Sequence, residues 1–184
     1  MAVRMQFLCS FLMVTLLGCA VREPPPSSPP LQDAVKVEQS QSESFTTFLG
    51  IKQPYPGDAS NTYLLRSVVE KTSGQVAHQL YVANYYRSAE GWRVWSRAHG
   101  EDAQPFEFVA IHRGVLSCDA DSGCALEEEF GAVIPDPMLR AHQSGFSVTF
   151  AADTGQELVL HLTAQQIQQQ LKAIDAFRAS TKQS

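Results

Sequence analysis

The sequence lacks the features that mark several large classes of protein. It has 14 Lys and Arg against 19 Asp and Glu in 184 residues, for a formal net charge of −5. The basic residues are scattered instead of forming a patch, which argues against binding to nucleic acid and against flat adhesion to anionic lipid. Glycine-rich phosphate loops, the Gly-x-Ser-x-Gly elbow and the Ser-x-x-Lys motif are also missing. No local motif therefore predicts an enzyme.

Cysteine and histidine are too few and too widely spaced to predict a metal site. The chain has four cysteines and five histidines, and no two histidines have the His-x-His or His-x₃-His spacing of metal ligands. The histidines are His78, His99, His112, His142 and His161. We predict no metal and no other cofactor.

An acidic segment that starts at Asp119 has the Asp-x-Asp-x-Gly pattern of a calcium loop. Counted as an EF-hand, it has Cys124 instead of glycine at position 6 and Phe130 instead of glutamate at position 12. Strand alternation also turns Glu128 away from the face that carries Glu127 and Glu129. The segment is therefore interpreted as a solvated acidic edge instead of a calcium site.

No apolar run is long enough to span a bilayer. The longest stretch, residues 7–17, gives a helix of about 16 Å, whereas a hydrocarbon core is about 30 Å thick. Arg4 precedes it and a small residue, Gly18, ends it. This arrangement is typical of a signal peptide, predicted here over residues 1–18.

The end of that segment, Leu16-Leu17-Gly18-Cys19, resembles the lipobox of bacterial lipoprotein precursors. The resemblance covers only about the first twenty residues. It implies cleavage before Cys19, lipidation of its thiol and acylation of the new amino terminus. Two or more acyl chains would hold the protein stably on a bilayer. Ala20 then implies the outer membrane, with the domain facing the periplasm; the inner membrane, the cell surface and an ordinary secretory signal stay open.

The predicted mature chain begins with a linker and continues as one domain. Residues 19–44 combine the lipidated cysteine with sequence rich in proline, serine and glutamine, which buries too little apolar area to order itself. Even fully extended it reaches at most about 80 Å, so it tethers the domain at a distance from the membrane. Residues 45–184 are predicted to form a single globular domain, since about 140 residues are enough for one core.

The fold is predicted as α+β, with one antiparallel sheet of about six or seven strands, or a partly open barrel. Alternating apolar residues and intervening turns indicate strands, and the clearest hairpin joins 146–151 to 156–162. A C-terminal amphipathic helix follows Thr163, with Gln166 at the capping-box position. The other predicted strands span 62–70, 76–86, 92–98, 105–116 and 125–134, and a short helix spans 138–143. The apolar stripe of the last helix, which we expect to pack on the sheet, consists of Ile167, Leu171, Ile174 and Phe177.

Two cysteines remain in the predicted mature domain besides Cys19. An even pair in an exported protein indicates one disulfide, here between Cys118 and Cys124. Redox catalysis is disfavoured, because the neighbouring Asp119, Asp121 and Glu127 oppose a thiolate and the spacing is not Cys-x-x-Cys.

Aromatic residues are concentrated on the predicted hairpin around residue 88. Tyr81, Tyr85, Trp92 and Trp95 are the candidate binding residues, because tyrosine and tryptophan suit protein interfaces and the stacking of glycans. The alternative is that they are ordinary strand residues covered by the C-terminal helix.

The predicted function is that of a membrane-anchored envelope lipoprotein that binds or assembles envelope proteins or glycans without catalysis. The alternative is an envelope hydrolase whose site is assembled from distant histidine and carboxylate residues. A pocket that holds both kinds of group would favour the hydrolase.

Overall fold

The computed structural model describes residues 35–39, 44–55 and 58–181. The predicted signal peptide, the predicted lipidation site Cys19 and most of the predicted linker lie outside these residues. Within the described ranges, no helix is both long and apolar enough to cross a membrane.

The described part of the chain contains eleven strands and two helices, and it confirms the predicted mainly antiparallel fold with a C-terminal helix. The strands are β1 (Lys36–Gln39), β2 (Phe45–Leu49), β3 (Gln53–Tyr55), β4 (Asp58–Glu70), β5 (Val76–Ser88), β6 (Trp95–Gly100), β7 (Pro105–Phe106), β8 (Phe108–Asp119), β9 (Gly123–Ile134), β10 (Gly145–Ala152) and β11 (Glu157–Thr163). The helices are α1 (Asp136–Ala141) and α2 (Ala164–Thr181).

The strands form two open sheets, where the sequence predicted one. Sheet A has seven strands in the order β1-β2-β4-β5-β9-β8, with β3 paired to β4, and sheet B has the order β11-β10-β6-β7. All the strand pairs are antiparallel. Alternation along each strand makes one face of each sheet apolar, and these inner faces pack together.

The core between the sheets is built around phenylalanine side chains. Phe130 of sheet A stacks with Trp95 at 5.2 Å between ring centroids and meets the edge of Phe150 of sheet B at 5.1 Å. Phe108 packs against Phe130 at 5.9 Å. Such aromatic pairs add about 0.5–1.5 kcal/mol each beyond their burial. Sheet A therefore has an inner face that is committed to the core and an outer face that is not.

The hairpin predicted between residues 76–86 and 92–98 is not formed, because β5 lies in sheet A and β6 in sheet B. The connection crosses between the sheets. Gly91 and Val94 have φ angles of 95° and 60°, and this left-handed backbone interrupts the extended run that was predicted from Trp92.

The predicted strand 105–116 is also divided between the sheets. Its first two residues form β7 in sheet B, and the chain enters sheet A after Glu107, whose carbonyl accepts a hydrogen bond from the Val133 amide at 2.9 Å. β8 is an edge strand whose pairing with β9 shifts register between Ala110 and His112 and again between Val115 and Ser117. Such bulges bend an edge strand and oppose further strand addition.

Four residues of the segment that was predicted as linker form a strand. Residues 36–39 form β1, which pairs with β2 and places Val37 opposite Phe48. All four side chains of β1 are exposed. The strand therefore has no buried face that an alternation of apolar and polar residues could indicate. Backbone pairing to β2 supplies the structure that the composition does not predict.

The two most regular predictions after residue 145 are confirmed. β10 and β11 pair as a hairpin, with Val148 opposite Leu160. At the start of α2, the Thr163 amide donates to Gln166 Oε1 at 3.0 Å and the Gln166 amide donates to Thr163 Oγ1 at 3.3 Å, which is the predicted capping box. The buried side of α2 includes Ile167, Leu171 and Ile174, and Phe177 packs partly buried beside Phe48.

Candidate functional site

The four predicted binding residues lie in three different environments. Trp95 is 3% exposed and belongs to the core, where its indole N–H donates to Asn84 at 3.2 Å, so it cannot touch a ligand in this structure. Trp92 is half-buried in the connection between the sheets. Tyr81 and Tyr85 lie on the outer face of sheet A, where Tyr85 is 37% exposed and Tyr81 is half-buried.

The outer face of β5 is paired with that of β9. Cross-strand neighbours are Tyr85 with Glu127, Ala83 with Glu129, and Tyr81 with Gly131. α2 and sheet B pack on the other face of sheet A. The C-terminal helix therefore does not cover these tyrosines, contrary to the alternative considered from the sequence.

Three tyrosines of β5 lie beside three consecutive glutamates of β9. On the outer face, Tyr85 is the cross-strand neighbour of Glu127, and Glu129 lies close enough to Tyr81 to raise the pKa of its hydroxyl. Tyr86 donates to Glu128 Oε2 at 2.8 Å on the inner face. The run Glu127–Glu129 is thus not the solvated acidic edge expected from the sequence, because Glu128 is 1% exposed.

The first pair, Tyr81 and Glu129, includes a guanidinium group. Arg66 of the neighbouring strand β4 lies over the Tyr81 ring, 4.8 Å from its centroid, and its Nε donates to Gln79 Oε1 at 2.6 Å. Burial and the Glu129 carboxylate raise the pKa of Tyr81 well above its usual value. The Arg66 guanidinium is attracted both to the Tyr81 ring and to the Glu129 carboxylate, so an arginine of this chain already balances the negative charge on this part of the face.

The inner pair, Tyr86 and Glu128, also has arginine side chains beside it. Arg93 lies over the Tyr86 ring at 4.1 Å, and Arg113 Nε is 3.0 Å from Glu128 Oε1. Burial, together with the hydrogen bond to Glu128, raises the pKa of Tyr86 to about 12. A buried carboxylate needs such partners to offset the loss of hydration.

The third pair, Tyr85 and Glu127, has no guanidinium over its ring. In the described part of the chain, guanidinium groups lie over Tyr81 and Tyr86 only. His112, which is half exposed, lies at the edge of this pair, with its Nε2 4.0 Å from Glu127 Oε2. The hydrogen bond to Glu127, with lesser contributions from burial and from both carboxylates, raises the pKa of Tyr85 to about 12.

A groove of about 290 Å³ lies on the same outer face, beside Arg66. It is mainly apolar, and its lining residues are Thr47, Arg66, Val68, Ala77, His78, Gln79 and Val133. The outer face therefore offers an apolar groove at one end and an exposed tyrosine with two carboxylates at the other. Such a combination suits a macromolecular partner, because aromatic anchors and flanking polar groups are typical of interfaces.

A second cluster contains the residue types of a serine hydrolase, although no local motif in the sequence indicates it. Ser67 Oγ donates to His78 Nδ1 at 2.7 Å, and His78 Nε2 donates to Asp136 Oδ1 at 2.9 Å. These residues come from β4, β5 and the start of α1. The ring nitrogens are used in the opposite order to a catalytic triad, in which serine bonds Nε2 and aspartate bonds Nδ1.

Burial prevents this cluster from acting on a substrate. Ser67 is 0% exposed and His78 is 1% exposed, and the Ser67 hydroxyl also accepts a hydrogen bond from Gln170 at 2.9 Å. Burial lowers the pKa of His78 more than its hydrogen bond to Asp136 raises it. The imidazole is therefore neutral at neutral pH and serves as a buried link between hydrogen-bond partners.

The cluster closes a ring of hydrogen bonds that fixes α2. At one end of the series, Gln170 of α2 donates to Ser67. At the other end, Arg140 donates to Asp136 at 3.0 Å and to both carboxylate oxygens of Asp175 of α2 at 2.9 and 3.1 Å. Although burial raises the pKa of Asp136, its bonds with His78 and Arg140 lower it overall. We call the six residues Gln170, Ser67, His78, Asp136, Arg140 and Asp175 the buried ring.

Three grooves of the described part differ in the side chains that line them. Besides the groove at Arg66, grooves of about 310 and 280 Å³ flank the β4–β5 turn near Arg178. One of the three is lined by a histidine and another by Asp136, but none is lined by a histidine together with a carboxylate. No group of three or more His, Cys, Asp or Glu side chains in the described ranges has the arrangement of a metal site.

The Cys118–Cys124 loop is a bridged turn between β8 and β9. A disulfide joins the two cysteines, which are also cross-strand neighbours. The Asp119 carboxylate accepts hydrogen bonds from the amides of Asp121 and Ser122, which lower its pKa. The loop therefore has the structure of a self-contained turn.

No protein family matches the chain, and no curated protein and no solved structure shows significant similarity to it.

Proposed function

We propose that this protein is a lipid-anchored envelope protein that binds an envelope macromolecule, a protein or a glycan, through the outer face of sheet A. The observation that carries the proposal is the exposed Tyr85, which stands with Glu127 and Glu129 on a sheet face that neither α2 nor sheet B covers. Anchoring rests on the lipobox resemblance at Cys19, and the linker holds the domain away from the membrane.

Charge and shape support binding instead of catalysis. The outer face is open, and it places Tyr85 beside the carboxylates of Glu127 and Glu129. An aromatic ring flanked by charged groups is typical of protein interfaces. A hydrolase instead needs a recess that excludes water around its reacting groups.

The proposal is tested by photocrosslinking in cells that express the full chain. We place p-benzoylphenylalanine at position 112, which borders Glu127, and at position 159 of sheet B as the control, since Val159 is 55% exposed. A reproducible crosslinked species from position 112 and none from position 159 is the expected result. Equal crosslinking from both positions, or none from position 112, would contradict a docking role for this face.

Anchoring is tested separately by a Cys19→Ser variant. Loss of acylation and of membrane fractionation is expected, because the thiol is the predicted acceptor of the lipid. A variant that still carries acyl chains and still sediments with membranes would refute the lipoprotein part of the proposal.

Hydrolysis is the second candidate, favoured only by the Ser67–His78–Asp136 geometry. A fluorophosphonate probe reacts with an activated, accessible serine, so we expect no labelling of the native protein because Ser67 is fully buried. Labelling that disappears in Ser67→Ala would show that the cluster opens to substrate and would favour the hydrolase.

A further inference from the structure

The three Tyr–Glu pairs between β5 and β9 form an internal series. In two of them an arginine of this chain lies over the tyrosine ring, Arg66 over Tyr81 and Arg93 over Tyr86. In the third, Tyr85 with Glu127, that position is not taken by an arginine of the described residues. The pair without an arginine is also the most exposed of the three, with Tyr85 37% accessible.

The electrostatics at Tyr85 favour a cation. Glu127 is the cross-strand neighbour of Tyr85, and the carboxylates of Glu127 and Glu129 both raise the pKa of the Tyr85 hydroxyl. A tyrosine ring attracts a guanidinium by cation–π interaction, and an adjacent carboxylate adds charge-assisted hydrogen bonds. His112 approaches Glu127 only to 4.0 Å at the rim of the site.

We infer that the Tyr85–Glu127 pair binds the guanidinium group of an arginine on a partner protein, which takes the place that Arg66 takes at Tyr81. This inference rests on the proposed function and names the chemistry of the partner. Arginine is favoured over lysine because its planar group stacks on the ring and pairs with the carboxylate at the same time. The partner segment therefore has an accessible arginine that fits against an acidic, aromatic strand surface.

The binding test uses the full protein in detergent and two fluorescent nonapeptides, one of arginine and one of citrulline. Citrulline has nearly the same shape as arginine but is neutral. The arginine peptide is expected to bind, measured by fluorescence anisotropy, and the citrulline peptide to bind at least tenfold more weakly. Equal binding of the two peptides would overturn the inference.

Variants then locate the cation. Glu127→Gln and Tyr85→Ser are each expected to weaken binding of the arginine peptide at least fivefold, because one loses the carboxylate and the other the ring. Glu157→Gln in sheet B removes the same charge from an exposed position away from this face and is expected to change binding less than twofold. An equal loss in Glu157→Gln would show that only net charge matters and would refute the site.

The crosslinking experiment separates failure of this inference from failure of the proposed function. Mass spectrometry of the species crosslinked at position 112 is expected to identify a protein segment that contains arginine. A crosslinked glycan, or a segment without a basic residue, would overturn the arginine site and leave the docking role of the face intact.

Discussion

The buried ring and the Tyr85 pair show how position in the fold decides what similar chemistry can do. The buried ring contains a serine, a histidine and an aspartate in hydrogen-bond contact, yet Ser67 and His78 are closed to solvent. The Tyr85–Glu127 pair has only a phenol and a carboxylate, but it lies on an open sheet face. The first cluster contributes stability and the second contributes a surface. Residue types alone would have favoured catalysis at the cluster whose serine and histidine are closed to solvent.

The largest expected effect on folding comes from His78→Ala. The substitution leaves the Ser67 hydroxyl and the Asp136 carboxylate without their buried partner and opens a cavity, so we expect a loss of about 3 kcal/mol in the free energy of unfolding. Urea unfolding measures it. His112→Ala, a half-exposed histidine of the same sheet, is the control and is expected to change stability by less than about 0.5 kcal/mol. A similar loss in both variants would remove the contrast between the two regions.

The pH dependence of stability is the next largest effect. The pKa of His78 is lowered in the native state, so between its folded value and about 6.5 the unfolded chain binds more protons and the free energy of unfolding falls as pH falls. One such group gives a slope of up to about 1.4 kcal/mol per pH unit. Asp136, whose folded pKa is also lowered, adds a further loss below about pH 4.

The control for this pH effect is His78→Gln, which keeps a hydrogen-bonding side chain but does not titrate. Thermal unfolding between pH 5 and 7 is expected to show a smaller pH slope in the variant than in the wild type. Identical slopes would mean that His78 is protonated equally in the folded and unfolded states.

Arg140→Ala is expected to cost less than the loss of His78. Arg140 bonds both Asp136 and Asp175, but about a third of its side chain is exposed, so solvent screens both ion pairs. We expect a loss of about 1 kcal/mol by urea unfolding, and less in high salt. A loss equal to that of His78→Ala would mean that the solvent-exposed ion pairs of Arg140 stabilise the fold as much as the buried histidine does.

The smallest expected effect on stability is that of Tyr85→Ser. Its ring is exposed and its partner Glu127 can be hydrated, so we expect a change of about 0.5 kcal/mol, the size of one cross-strand contact. The same variant is expected to lose crosslinking from position 112. If Tyr85→Ser were as destabilising as His78→Ala, the outer face would be a structural element and not a binding surface.

Local patterns predicted the regular parts of the fold. The β10–β11 hairpin follows from strict alternation around a turn, and α2 follows from its capping box and its stripe of Ile167, Leu171 and Ile174. Both depend on neighbours within a few residues, which a sequence displays directly. β1 was missed because its stability comes from pairing with β2, and its own residues show no alternation.

The candidate site was predicted only in part. Residue type alone indicated Tyr81 and Tyr85, and strand alternation correctly separated Glu128 from Glu127 and Glu129. The pairing of the tyrosines with the glutamates was not predicted, because it depends on the register between β5 and β9. Trp95 was grouped with the tyrosines, because nothing local shows that β5 and β6 enter different sheets.

The sequence by itself determined the class of fold, the helix that closes it, and the expectation of an exported, anchored protein. These properties follow from periodicity and from short contiguous motifs. Only the tertiary structure decided which tyrosine is exposed and which histidine is enclosed, since burial depends on contacts between residues far apart in the chain. Ser67 and Gln170 are separated by 103 residues and bond at 2.9 Å, and no local pattern records that contact.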